Sequence, residues 1–150
     1  MATEPQRQKK REFYALNKDA ISAYQKDYRR RTNDSSTKRY EKTKQGFLMR
    51  CYRNMQSRVN GVQKLKSHLY KGKSLLDRQS FYEWSLENKD FHTLFDQWEK
   101  NGYDRKLAPS INRVKSSLGY ELNNMEWITH SENSRRTTRW GYDINILMPL

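Results

Sequence analysis

The apolar positions of this chain follow a helical period over most of its length and switch to alternation near its end. In GFLMRCYRNMQSRVNG (46–61), Leu48, Tyr52, Met55 and Val59 recur at i, i+4, i+7 and i+11. That spacing predicts a helix with one stripe on a core, and Gly61 suits the left-handed position just past its end. Ser80-x-x-Glu83 has the form of a capping box and predicts a helix carrying Phe81 and Trp84. Asp90 is the expected cap of the next helix, where Phe91, Leu94, Phe95 and Trp98 form a face that Asn101-Gly102 terminates. Upstream the pattern is thinner. Asn17 is the candidate N-cap of a helix whose only seam is Ile21, Tyr24 and Tyr28, with Tyr14 one heptad earlier. Residues 1–11 are polar and expected to fray. TNDSSTKRYEKTKQG (32–46) reads as a linker, and residues 69–73 as an irregular turn within a short basic stretch, 62–78.

Beyond residue 108 the period becomes two. SINRV (110–114) predicts a strand, SSLG a turn that continues through Glu121–Asn124, and MEWIT (125–129) a second strand alternating Met125, Trp127 and Thr129. Thr129-x-x-Glu132 is a second capping box, so a helix should begin near His130 and carry SENSRR. Strand, loop, strand and helix make a ββα unit over about 108–140, and GYDINILMPL (141–150) follows Trp140 as an apolar, strand-like segment. The expected fold class is α+β and mostly helical. It comprises a basic helical arm and linker at 1–43 and a domain at 44–150, with helices over 44–102 ahead of the ββα unit.

Composition sharpens the contrast between the two parts. Hydrophobic residues are 34% and mean hydropathy is −1.21, so part of the chain is expected to lack a packed core. Four Trp, ten Tyr and five Phe suffice for a small aromatic core elsewhere. Net charge is +13, and it is segregated: residues 1–66 carry 18 Lys+Arg against 6 Asp+Glu, whereas residues 67–150 carry 12 against 11. A polyanionic partner, nucleic acid first, is expected for the first half; the alternative is a solvated basic helix. Candidate phosphate contacts are Arg7, Lys9, Lys10, Arg11, Arg29, Arg30 and Arg31 on the arm. Arg50, Arg53 and Arg58 on the next helix either join them or are solvated. A membrane partner is not expected, since the basic stretch carries Tyr rather than a broad Leu/Phe face and has no lipidation motif. Cys51 stands alone, which excludes an internal disulfide or CxxC zinc site and points to a reducing compartment. Its place in an apolar pattern favours a small buried hydrophobe over a nucleophile. No apolar run reaches signal-peptide or membrane-spanning length, so a soluble protein without an export signal is expected.

APSINRVKSSLGYELNNMEWITHSENSRR (108–136) resembles the C-terminal half of the HNH, or ββα-metal, motif common in phage genomes. In that family a strand with Asp-His or Asp-Arg leads to a Gly-Tyr turn, an Asn-x-x-Trp strand and a helix bearing Asn or His. Gly119-Tyr120, Asn124-x-x-Trp127 and Glu132-Asn133-Ser134 fall at that spacing. RNMQSRVNG, Tyr70-Lys71-Gly72 and FYEW extend the likeness upstream through residues 44–106, and the N-terminal region is similar to the Lys/Tyr-rich arms of such proteins.

The resemblance implies a phage-encoded DNA endonuclease, with a homing enzyme as one form, that binds double-stranded DNA in the cytoplasm of the bacterial host. It also implies one divalent cation, Mg²⁺ or Mn²⁺, and no small-molecule cofactor. On this alignment Asn112 stands at the metal-binding Asp, Arg113 at the catalytic His, Asn133 at the helix ligand and Asn124 at the loop-bracing Asn. Trp127 and Tyr120 are expected to pack the unit. Two positions depart from the chemistry: an Asn amide is a neutral ligand, and Arg113 cannot act as a general base, although it can bind phosphate bidentately. Lys115 adds a further positive charge. His130, three residues before Asn133, either serves as ligand or base or faces solvent. His68 and His92 receive no role. The alternative reading is a catalytically degenerate HNH-fold protein that binds DNA without turnover; a basic RNA-binding or host-inhibiting protein ranks below both.

Overall fold

The computed structural model describes residues 1–136. The segment expected to form a strand at 141–150, with Trp140, lies outside the described residues. The chain divides into two compact units, Met1–Tyr40 and a second that begins at Glu41.

The first unit is dominated by α1, Glu4–Thr32, which starts well before Asn17. Pro5 lies in its first turn, and the Thr3 backbone N–H donates to Gln6 Oε1 at 2.9 Å, as one half of a capping box does. Glu4 in the first turn and Arg29, Arg30 and Arg31 in the last turn complement the helix dipole. Residues 4–11, expected to fray, are therefore helical. Asn17 sits inside the helix, where its Nδ2 donates to the Phe13 carbonyl at 2.8 Å instead of capping. The helix stops where Asn33 and Asp34 adopt left-handed backbone, φ 51° and 54°. A short helix α2, Ser35–Glu41, takes up much of the expected linker. α1 buries none of its residues.

The second unit is built on an aromatic core. α3, Lys44–Val59, is capped by the Thr43 hydroxyl and ends with Gly61 N–H on the Arg58 carbonyl and Val62 N–H on the Ser57 carbonyl. This paired closure needs the left-handed φ of +73° that Gly61 supplies. α6, Lys89–Lys100, ends the same way at Gly102. Between them lie α4, Ser67–Tyr70, and α5, Arg78–Glu87. The caps of α5 and α6 differ from expectation. Asp77 caps α5, with Ser80 as its hydrogen-bond donor, and Asn88 rather than Asp90 caps α6. In both cases the capping side chain belongs to the last extended residue, three before the N–H it must reach.

β1, Pro109–Arg113, pairs antiparallel with β2, Met125–Thr129, in a two-stranded sheet that sets Ile111 opposite Trp127 and Asn112 opposite Glu126. Alternation sends Ile111, Met125 and Trp127 into the core and Ser110, Asn112 and Glu126 to the opposite face. Trp127 meets Phe91 at 4.7 Å and Phe81 at 6.2 Å between ring centroids, and Phe47 joins the same cluster. Leu48, Tyr52 and Met55 are buried as their spacing requires; Phe47 widens the stripe, and Val59 lies at its edge. Tyr120 tethers the incoming loop through N–H to the Ser74 carbonyl and carbonyl to the Leu76 N–H. A Cβ at Gly119 would collide with Ser74, so that close approach requires glycine. β2 leads directly into a helix, α7, described over residues 130–136, with the Thr129 hydroxyl accepting from the Glu132 N–H at 3.2 Å. The protein is thus mostly helical with a small antiparallel sheet, and among the described residues no helix is long and apolar enough to cross a membrane.

Candidate functional site

The hairpin's outer face and the start of α7 bring several polar side chains together. Asn112 Nδ2 donates to Glu126 Oε1 at 2.7 Å. The same oxygen accepts from Arg136, whose Nε reaches Glu132 Oε1 at 3.0 Å; Glu132 also pairs with Arg135. Asn133 Nδ2 donates to the Ser110 hydroxyl at 2.8 Å and to the Ile111 carbonyl at 3.2 Å, which ties α7 to β1 one residue from Asn112. The bond from the Arg136 guanidinium holds Glu132 below the usual carboxyl range, and Glu132 followed by Glu126 raises Arg136. Asn133 is thus bonded to β1 next to Asn112, and Asn112 itself is bonded to Glu126, a partner the sequence did not suggest.

The donor set does not fit a hard divalent cation, which is normally held through carboxylate oxygens. Asn112 and Asn133 are neutral amides. The Glu126 oxygen facing Asn112 already receives an amide N–H and a guanidinium, so the charge balance on this face is met by Arg136. Among the described residues no three His, Cys, Asp or Glu side chains gather as a ligand group.

Asn124 and Arg113 organise the connecting loop. Asn124, 3% exposed, accepts from the Lys115 N–H at 2.8 Å and donates to the Lys115 and Gly119 carbonyls at 3.0 and 2.8 Å. Arg113 projects from the strand face opposite Asn112. Its guanidinium donates to the carbonyls of Ser116 and Leu118, both at 2.9 Å, and of Leu69 at 3.3 Å, and lies 4.3 Å from the Tyr70 ring centroid. It is placed as a loop clamp, apart from the Asn112–Asn133 group. Trp127 is wholly a core residue.

The histidines separate clearly. The His130 backbone N–H reaches the Ala108 carbonyl at 2.8 Å, while among the described residues its ring makes no hydrogen bond. His92 bridges Lys44 and the Leu86 carbonyl at 2.9 and 2.7 Å; because an ammonium can only donate, Nδ1 accepts and Nε2 carries the proton. His68 is exposed. Burial pushes the Cys51 thiol up to about 12, which favours the protonated thiol at neutral pH.

The candidate phosphate contacts fall into two groups. On the arm, Arg7 and Arg11 pair with Glu4, and Arg30 and Arg31 with Asp27, all at exposed positions. Lys9, Lys10 and Arg29 make no ion pair among the described residues. On α3, Arg50 pairs with Glu41, Arg53 is exposed, and the half-buried Arg58 donates to the Tyr120 hydroxyl at 3.1 Å. Glu126, Arg136 and Ser110 were missed as site residues. Hairpin register alone would have set Glu126 beside Asn112, and the i,i+4 spacing of Glu132 and Arg136 was visible in the sequence.

No family model, curated protein or solved structure matches this chain. The resemblance to the HNH motif therefore stands on the residue pattern itself.

Proposed function

We propose that this protein binds double-stranded DNA, with the basic arm as an electrostatic grip and the hairpin–helix unit laid against the sugar–phosphate backbone in the manner of a phage HNH protein. One observation carries the reading: α1 buries none of its residues yet holds nine Lys+Arg against four Asp+Glu. Those charges serve no core. Exposed ion pairs such as Glu4–Arg11 and Asp27–Arg31 contribute only about 0–1 kcal/mol each, so phosphates can compete for the same cations at little cost. Counterion release would then make binding steeply salt-dependent and largely indifferent to sequence. Replacing Arg29, Arg30 and Arg31 by Ala should weaken binding to every duplex alike and flatten the salt dependence by about one slope unit per lost contact. Unchanged binding by that variant removes these three arginines from the interface, and unchanged binding after deletion of residues 1–40 removes the arm.

The second reading is a DNA endonuclease. It is favoured by a specific arrangement: a hairpin feeds a helix whose Asn133 is bonded beside Asn112, above a loop braced by Asn124. The neutral amides and the Glu126–Arg136 pair favour binding without turnover. Nicking of supercoiled plasmid by purified protein, with Mg²⁺, Mn²⁺ or EDTA, separates the two. The binding reading expects no metal-dependent nicking by the wild type, and robust nicking lost in Asn133→Ala would establish the nuclease.

A further inference from the structure

Residues 42–76 contain nine Lys+Arg and no Asp or Glu, a basic run outside the arm in which Arg50 pairs with Glu41 and Lys44 with Asp96. Part of this run is folded into a concave surface. The loop over residues 61–71 is closed at its base by Gly61 N–H to the Arg58 carbonyl at 3.1 Å, Val62 N–H to the Ser57 carbonyl at 3.0 Å, and Gly72 N–H to the Val59 carbonyl at 3.0 Å. It borders an open cavity of about 440 Å³ lined by Arg58, Gln63, Lys64, Leu65, Lys66 and Tyr70. The lining holds three cations, one side-chain amide and no carboxylate.

Arg58 is held in place there. It donates to the Tyr120 hydroxyl and lies 5.6 Å from the Tyr70 ring centroid. Tyr120 is pushed above the usual phenol range, first by burial, so it is a neutral acceptor that leaves the guanidinium's charge intact. A guanidinium has five N–H donors, and one bond to Tyr120 leaves several for an anion. Lys64 and Lys66 are exposed and make no ion pair among the described residues. Three cations set around one concavity repel one another, and a bound anion would relieve that repulsion.

We infer that this cavity takes a backbone phosphate of duplex DNA, giving the second unit a nucleic-acid contact of its own in addition to the arm. The inference rests on the DNA-binding reading above and names a further site for it. The contact is anchored by Arg58 in the last turn of α3, with Lys64 and Lys66 supplied by the loop that follows it.

The test uses the full-length chain. Lys64→Ala/Lys66→Ala and Lys64→Glu/Lys66→Glu are compared with wild type and with the Arg29, Arg30 and Arg31 alanine variant by fluorescence anisotropy on a labelled duplex across a salt series. The lysines are exposed, so melting temperatures should not change. The alanine pair should flatten the salt dependence by about two slope units, and the glutamate pair should weaken binding further. Inorganic phosphate, at ionic strength matched to chloride, should displace the duplex from the wild type better than chloride does and lose that advantage in the lysine variants. Wild-type affinity and slope in both lysine variants, beside a weakened arm variant, overturn this site while leaving the DNA-binding reading intact. Selective displacement by inorganic phosphate that persists in both lysine variants assigns the phosphate-sensitive contact to another part of the chain and also overturns this site. No duplex binding by the wild type at any salt overturns both.

Discussion

The two units of this chain reach ordered structure by different means. From Glu41 onward, Phe47, Phe81, Phe91, Phe95 and Trp127 are removed from water, and helices and hairpin are held by what they bury. In the unit Met1–Tyr40, α1 is 29 residues long with nothing buried and relies on its N-terminal turn, its exposed ion pairs and local propensity. Helices without tertiary packing are marginal in water, so α1, with nothing buried, is held by local interactions rather than by a core. The contrast teaches that helicity alone says little about role. Burial marks what the fold needs, and the charge on α1 stands outside that need.

The comparison is tested most severely in the core. Trp127→Ala should cost about 3–5 kcal/mol, read as a lower urea midpoint, because the ring is 4% exposed and meets Phe47, Phe81, Trp84 and Phe91. Tyr24→Ala, at a stacked but exposed pair on α1, should leave that midpoint within about 0.5 kcal/mol. Similar losses in both would abolish the distinction. Asn124→Ala should cost about 2–4 kcal/mol, since it strands one N–H and two carbonyls of the hairpin loop. Gly61→Ala should cost about 1–2 kcal/mol because of its left-handed φ. The smallest effect concerns acid. Ser80 hydrogen bonds hold Asp77 below the usual carboxyl value, so its contribution is present above the unfolded carboxyl pKa and is lost as pH falls through the folded one. Asp77→Asn should therefore flatten the acid side of the stability profile slightly, and a profile unchanged from wild type would remove the cap from the account.

Much of the second unit was legible because its signals are local. The alternation of Met125, Trp127 and Thr129, the capping box at Thr129, and Gly61 and Gly102 at helix ends each depend on a few neighbouring residues. The misses have a common physical form. Asp77 and Asn88 were passed over as caps because Ser80 and Asp90 look equivalent in sequence, and only backbone conformation decides between them. The thin apolar seam of α1 points to a start at Asn17, whereas Pro5, Glu4 and the Thr3–Gln6 contact start the helix at Glu4. At the candidate site, convergence of Asn133 on β1 follows from the motif spacing. The Glu126–Arg136 pair depends on strand register and helix direction together, and Arg113's turn towards Tyr70 depends on a loop some forty residues upstream.

The most direct measurement is the affinity of the intact protein for a short labelled duplex as salt is raised from about 50 to 200 mM, where each neutralised phosphate adds nearly one unit to the log–log slope. The account expects tight binding at the low end that falls by orders of magnitude, with little regard to base sequence. Binding that ignores salt, or none at the lowest salt, would contradict it.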